Sequence, residues 1–212
     1  MTSCHATTPE LADLGIVQAA RGLRAGVLSR ELLAACQARI ARVNGGTPSH
    51  DGDPSRISAW VRLYPENALA AAREADRTLG IRGRDSPLMT GIPVGLKDIF
   101  AVQGLPLTAS SRVLDGGPER VNSTVWENLS HAGAVLVGHT RTHEFAFAGS
   151  CDQSGNPWNA AASPGGSAAA VLCRGGPGPW TARRVGRYWQ CPAAYGAPDR
   201  ADQPSRRSRS RS

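Results

Sequence analysis

After Leu172 the chain contains no Leu, Ile, Met or Phe, although it runs on to Ser212. Arg, Pro, Gly, Ala and Ser dominate that stretch instead. A segment without such side chains cannot bury enough apolar surface to offset the entropy of ordering its backbone. A packed core is therefore expected within residues 1–173, with residues 174–212 forming a disordered Arg/Pro/Gly/Ser-rich tail. Charge divides at the same place. Of the 24 Lys and Arg residues, nine fall in the tail, as do two of the 17 acidic residues. The tail thus carries the whole net charge of +7, and the first 173 residues are neutral. No apolar run approaches the roughly 18 residues that span a bilayer, and the first residues lack the pattern of a secretory leader. Cys4, Cys36, Cys151, Cys173 and Cys191 are scattered, with no CxxC or Cys/His spacing. Free thiols in a reducing cytoplasm are the expectation, with no bound metal.

Lys97 is the sole lysine; every other basic residue of the 24 is arginine. A genome that favours Arg codons replaces Lys wherever charge alone matters. A lysine that persists fits a place where an ammonium cannot be exchanged for a guanidinium. Lysine can give up its proton when buried and act as a base; arginine cannot. Lys97 is thus a candidate base, with a chance survivor or a structural cation paired to Asp98 as the alternatives. It ends the apolar segment Pro93-Val94-Gly95-Leu96, read as a short buried strand, and strand ends are where sites form in open α/β sheets.

The remaining pattern alternates helices and strands, which implies an α/β architecture. Residues 9–43 read as two helices. The first is capped by Thr7 or Thr8, with Leu11, Leu14, Val17 and Ala20 on one face. The second is capped by Ser29, with Leu32, Leu33, Cys36, Ile40 and Val43 as its stripe. Residues 57–63 read as a strand and 65–79 as a helix stopped by Gly80. Ser123 and Thr124 cap a helix reaching His131, and residues 134–138 form a strand apolar on both faces. His131, His139 and His143 straddle a strand and a loop at spacings that do not suit a metal site. They read as ordinary polar histidines, and Glu144 as structural rather than as a general acid.

A second candidate site residue is Ser167, in Ser163-Pro164-Gly165-Gly166-Ser167 ahead of Ala168-Ala169-Ala170-Val171. Gly-Gly-Ser turns set a hydroxyl beside exposed backbone N–H groups that can hold an oxyanion; a helix cap is the plainer alternative. Taken together, several segments resemble the amidase signature family in order and spacing. They are Gly91-Ile92-Pro93-Val94-Gly95-Leu96-Lys97-Asp98, Pro106-Leu107-Thr108-Ala109-Ser110-Ser111, Ala134-Val135-Leu136-Val137-Gly138-His139-Thr140, His143-Glu144-Phe145-Ala146, Gly155-Asn156-Pro157-Trp158 and the serine segment. The resemblance covers roughly residues 8–172.

The resemblance implies a mixed sheet flanked by helices, here incomplete at the C-terminus. It also implies hydrolysis of a small-molecule amide by a Ser–cis-Ser–Lys triad, with no cofactor, no metal and no membrane partner. Lys97 matches the family's lysine. About four residues of the family's Gly/Ser-rich stretch are missing, so Ser167 matches either the cis-Ser or a serine four places later. Pro164-Gly165-Gly166 directly before it favours the cis-Ser.

The family's nucleophilic serine should follow some twenty residues on. Arg183-Arg184 stand where Gly and Ser are expected. Cys191-Pro192-Ala193-Ala194-Tyr195-Gly196 then resembles the segment beyond the nucleophile. Residues from about Arg174 are accordingly read as a frameshifted translation of GC-rich coding sequence. Two alternatives stand beside an impaired hydrolase. One is a non-catalytic remnant or mis-called reading frame. The other takes Ser205-Arg206-Arg207-Ser208-Arg209-Ser210-Arg211-Ser212 as a nucleic-acid-binding tract, although no RNA-binding fold accompanies it. The frameshift reading predicts that another frame of the DNA across codons 160–212 encodes a Gly-Ser-(Leu/Val/Ile)-Arg-like peptide. Sequencing that finds no such peptide in any frame removes this reading.

Overall fold

The computed structural model describes residues 11–114, 116–147, 153–156 and 159. Ser163–Ser167 and the 174–212 tail lie outside them. After a single 3-10 turn at Leu11–Asp13 come helices α1 (Ile16–Arg24) and α2 (Ser29–Val43). Strand β1 (Trp60–Leu63) leads into α3 (Pro65–Arg82), followed by β2 (Pro93–Lys97), α4 (Thr124–His131) and β3 (Val135–Thr140). The strands form a mixed sheet in the order β1-β3-β2. β3 pairs antiparallel with β1 and parallel with β2. The expected α/β architecture, a mixed sheet with helices packed on it, is what the described residues adopt.

All six residues of β3 are buried, as the apolar run over residues 134–138 leads one to expect for its first part. The pleat sends successive side chains to opposite faces, and two cores follow. Leu136 joins Leu23 of α1, Leu32 of α2, Ile92, Leu96 of β2 and Leu129 of α4. Val135 and Val137 join Leu33 and Ile40 of α2, Trp60 of β1, and Ala68 and Ala72 of α3. α2 therefore serves both cores, sending adjacent leucines in different directions. The alanines of α3 recur at helical spacing on its inner face, which is why that helix can pack so closely.

Several local details differ from the sequence reading. α1 begins only at Ile16, after the separate 3-10 turn. Its buried face is Ala19, Ala20 and Leu23, while Val17 is 63% exposed. Ser29 does not cap α2 with its side chain. Its hydroxyl donates to the carbonyl of Gly91 at 2.9 Å, and its own N–H is satisfied by Asp76 of α3 at 2.5 Å. Gly80 lies inside α3, which continues to Arg82 and stops at Gly83 with φ +52°. The expected cap at Ser123 is present, accepting from the N–H of Trp126 at 3.4 Å. Among the described residues no helix is long and apolar enough to cross a membrane.

Two glycines set how closely the elements approach. Gly91 has φ +79°, and a Cβ there would lie 2.9 Å from Ser29. Gly95, in mid-β2, lies beneath the indole of Trp60; a Cβ would meet its Cη2 at 2.7 Å and Thr140 Cγ2 at 2.9 Å. Both obstacles are held in the packed sheet, so Gly95→Ala should destabilise the protein by about 1–3 kcal/mol, measured as a lower denaturant midpoint with an unchanged m-value.

Candidate active site

The parallel ladder between β2 and β3 ends at the pair Lys97 and Thr140. One further bond, from the N–H of Asp98 to the carbonyl of Thr140 at 3.0 Å, closes it. The chain then turns sharply, with the N–H groups of Ile99 and Phe100 donating to the carbonyl of Lys97 at 2.7 and 3.0 Å. This places the only lysine at a strand end and 9% exposed. The sheet thus presents its single ammonium-bearing side chain from the floor of the site.

Asp98 is fully buried and holds the next loop. Its carboxylate accepts from the hydroxyl of Thr108 at 2.5 Å, from the N–H of Ser110 at 3.0 Å and from the N–H of Thr108 at 3.4 Å. The loop passes its hydrogen bonds on to the segment after β3. The hydroxyl of Ser110 accepts from the N–H of Thr142 at 3.1 Å, and that of Ser111 donates to Glu144 at 2.7 Å. The carbonyl of Ala109 accepts from the N–H of Phe145 at 2.9 Å. At this junction Ala109, Ser110, Phe145 and Ala146 all adopt left-handed φ between 50° and 56°. Such backbone is costly for residues other than glycine and persists where its surroundings over-determine it.

Arg141, 1% exposed, fastens the opposite side. Its guanidinium donates to the carbonyls of Ser49 and His50 at 2.6 Å each, to the carbonyl of Ser58 at 2.9 Å and to Gln153 at 2.7 Å. A rigid planar fork suits such a convergence of acceptors. Beside it His139 is buried in β3. It stands between the Tyr64 hydroxyl, 2.8 Å from Nδ1, and the Phe100 carbonyl, 3.2 Å from Nε2. Burial holds the imidazole below the usual histidine range, against the pull of Asp98. Burial likewise pushes the Tyr64 phenol up to about 12.

The amidase family model matches residues 31–178. The chain belongs to the amidase family. Its relatives include a glutamyl-tRNA(Gln) amidotransferase subunit from Chloroflexus aggregans, 41% identical over 164 residues, 74% of this chain and 31% of that protein. The corresponding protein from Geobacter metallireducens is 38% identical over 174 residues, 78% of this chain and 34% of the relative. The chain thus spans about a third of the length of these relatives. Among solved structures, peptide amidase from Stenotrophomonas maltophilia shares 28% identity with a TM-score of 0.60, over 80% of this chain and 34% of that one. A bacterial aryl acylamidase at 20% identity superposes with a TM-score of 0.61, over 75% of this chain and 32% of that one, a likeness of fold.

Within this amidase unit the structure places Lys97 at the strand end where the sequence put it. Ser167 lies outside the described residues. The three histidines do not converge. His131 is exposed at the end of α4, His139 is buried in the sheet, and His143 is beyond β3. Among the described residues no group of His, Cys, Asp and Glu is arranged to hold a metal. Glu144 is a hydrogen-bond partner of Ser111, in keeping with a structural part. Sequence reasoning missed Asp98 as the hub of the 108–110 loop, and missed Arg141. The signal for the first was the polar run Thr108-Ala109-Ser110-Ser111 following closely on a buried acid; for the second, an arginine directly after an apolar strand. Removing a buried acceptor leaves its donors unsatisfied. Asp98→Ala should therefore cost about 2–4 kcal/mol in denaturant unfolding, and Thr108→Val, which removes one donor, about 1 kcal/mol.

Proposed function

We propose that this chain descends from a hydrolase of carboxylic amide C–N bonds that acts on a small-molecule amide in the cytoplasm, without cofactor or metal. The observation that carries the reading is the burial of the sole lysine at the end of β2, in a chain of the amidase family. Desolvation disfavours an ammonium, and a lysine base works only when its neutral form is accessible. In the reaction, Lys97 takes a proton from Ser167, and Ser167 takes one from a nucleophilic serine. That serine attacks the amide carbonyl to give a tetrahedral oxyanion. The oxyanion collapses as the amine leaves with a proton, and water then hydrolyses the acyl-enzyme to regenerate the serine. Backbone N–H groups of the Gly165-Gly166 segment would stabilise the oxyanion. Neither nucleic acid nor a membrane has a role in this chemistry.

A second reading, that this chain is a non-catalytic remnant, is favoured by one sequence observation. Between Ser167 and Ser205 there is no serine, and Arg183-Arg184 occupy the stretch where the family carries its nucleophile. A relay of this type acts as a unit, and loss of one member removes on the order of 10⁴–10⁶ of the rate. The chain as it stands should release no measurable ammonia from a panel of simple amides such as indoleacetamide. Restoring the reading frame after codon 173 should produce turnover, and Lys97→Ala in the restored protein should abolish it. If the unrestored chain hydrolyses an amide at a rate that Lys97→Ala removes, Ser167 itself is the nucleophile.

A further inference from the structure

His139 is the one imidazole built into β3, beside residues that are otherwise Val, Leu, Gly and Thr. An aliphatic side chain would fill the same volume without a polar ring to satisfy. What the imidazole adds is direction. A carbonyl oxygen can only accept, so the 3.2 Å contact with Phe100 requires the proton on Nε2. In the neutral ring Nδ1 is then an acceptor, and the Tyr64 hydroxyl at 2.8 Å must donate to it. The two rings meet edge to face, with centroids 5.6 Å apart at 87°. Both bonds leave β3. One runs to the residue that opens α3; the other runs to the last residue of the turn that Lys97 begins. The backbone of that turn is closed on the Lys97 carbonyl from within, and the Phe100 carbonyl meets His139 outside it.

We infer that His139 is a positioning residue for Lys97: as the Nε2–H tautomer it ties the Tyr64 hydroxyl to the Phe100 carbonyl and so fixes the turn that aims the lysine. The inference rests on the hydrolytic reading of Lys97 given above. The charged groups facing the imidazole are Asp98 from the turn and Arg62 from β1; they act in opposite senses, and burial exceeds both. The ring therefore stays neutral, and its single donor stays assigned to Phe100. Tyr64, whose phenol is itself held protonated by burial, keeps the proton that makes it a donor.

The test exploits the chain's single lysine. Trace acylation followed by mass spectrometry reads one ε-amine, with the α-amine as internal reference, and ¹⁵N NMR of the imidazole reads the tautomer. The parent chain should show a single Nε2–H tautomer. His139→Gln retains an N–H donor near the position of Nε2, whereas His139→Leu retains the volume alone. Glutamine should leave Lys97 acylation within about twofold of the parent rate and leucine should raise it about fivefold or more, the ratio set by losing one hydrogen bond. Tyr64→Phe, which removes the donor to Nδ1, should keep the Nε2–H tautomer, which the Phe100 carbonyl fixes, and raise Lys97 acylation by untying one end of the ring; it decides the matter if the leucine variant does not fold. A folded His139→Leu with parental acylation overturns the inference. So does an Nδ1–H tautomer in the parent chain, or a folded Tyr64→Phe variant with parental acylation. Neither measurement needs turnover. A frame-restored protein whose Lys97 responds to His139 yet releases no ammonia counts against the hydrolytic reading alone. One that releases ammonia while Lys97 ignores His139 counts against the positioning alone.

Discussion

β3 must be hydrogen-bonded along both edges and buried on both faces at once, and the rest of the described fold depends on that constraint. A strand in this position has no surface on which to place polar groups, so its first half is apolar. Its second half, from Gly138 to Thr140, is where polarity becomes tolerable, because partners are brought to it. β1 and β2 reach that end from opposite sides, one antiparallel and one parallel. The arrangement gathers Lys97, His139 and Arg141 at one end of a three-stranded sheet, and the Tyr64 hydroxyl reaches His139 from beyond the far end of β1. The chemistry of the site is thus a product of strand direction before it is a product of any side chain.

The polar floor of the site is organised in tiers. Asp98 supplies a buried negative charge whose oxygens are occupied by the 108–110 loop, and that loop in turn grips the backbone after β3. Buried carboxylates are tolerated only when so satisfied. Arg141 does the complementary work with carbonyls on the other side. Lys97 itself is 9% exposed, and its backbone is fixed by the ladder to Thr140 and by the turn that follows. Rigid support of this kind is what the proposed relay would need, since small displacements of a reacting group are expensive in rate.

Much of this could be read from the sequence, and the parts that could not share a physical cause. Lys97 was legible because an isolated lysine among arginines is a chemical anomaly, and β2 and β3 because their apolar runs admit few alternatives. The cap at Ser123 followed local rules and was found. Ser29 obeys the same local rules, but the nearness of Gly91 and Asp76 turned its hydroxyl and its N–H to other partners, a tertiary override of capping preference. Gly80 reads as a stop, yet nothing crowds it and α3 is held by its alanine face, so the helix continues through it. Asp98 and Arg141 bond to residues ten or more positions away, and periodicity carries no information about such contacts. Ser167, read from a motif, lies outside the described residues.

The cap on α2 has a consequence for how the chain is made. Asp76 reaches back 47 residues to complete the first turn of that helix. On a ribosome that synthesises from the N-terminus, α2 emerges well before its cap exists. Isolated helices of this length are marginal in water, so α2 should remain frayed at its start until α3 has been translated and docked. The two helices therefore mature as one cooperative event, and the nascent chain has no stable intermediate consisting of α1 and α2 alone. A pause in translation before codon 76 would prolong exposure of the leucines that serve the two cores.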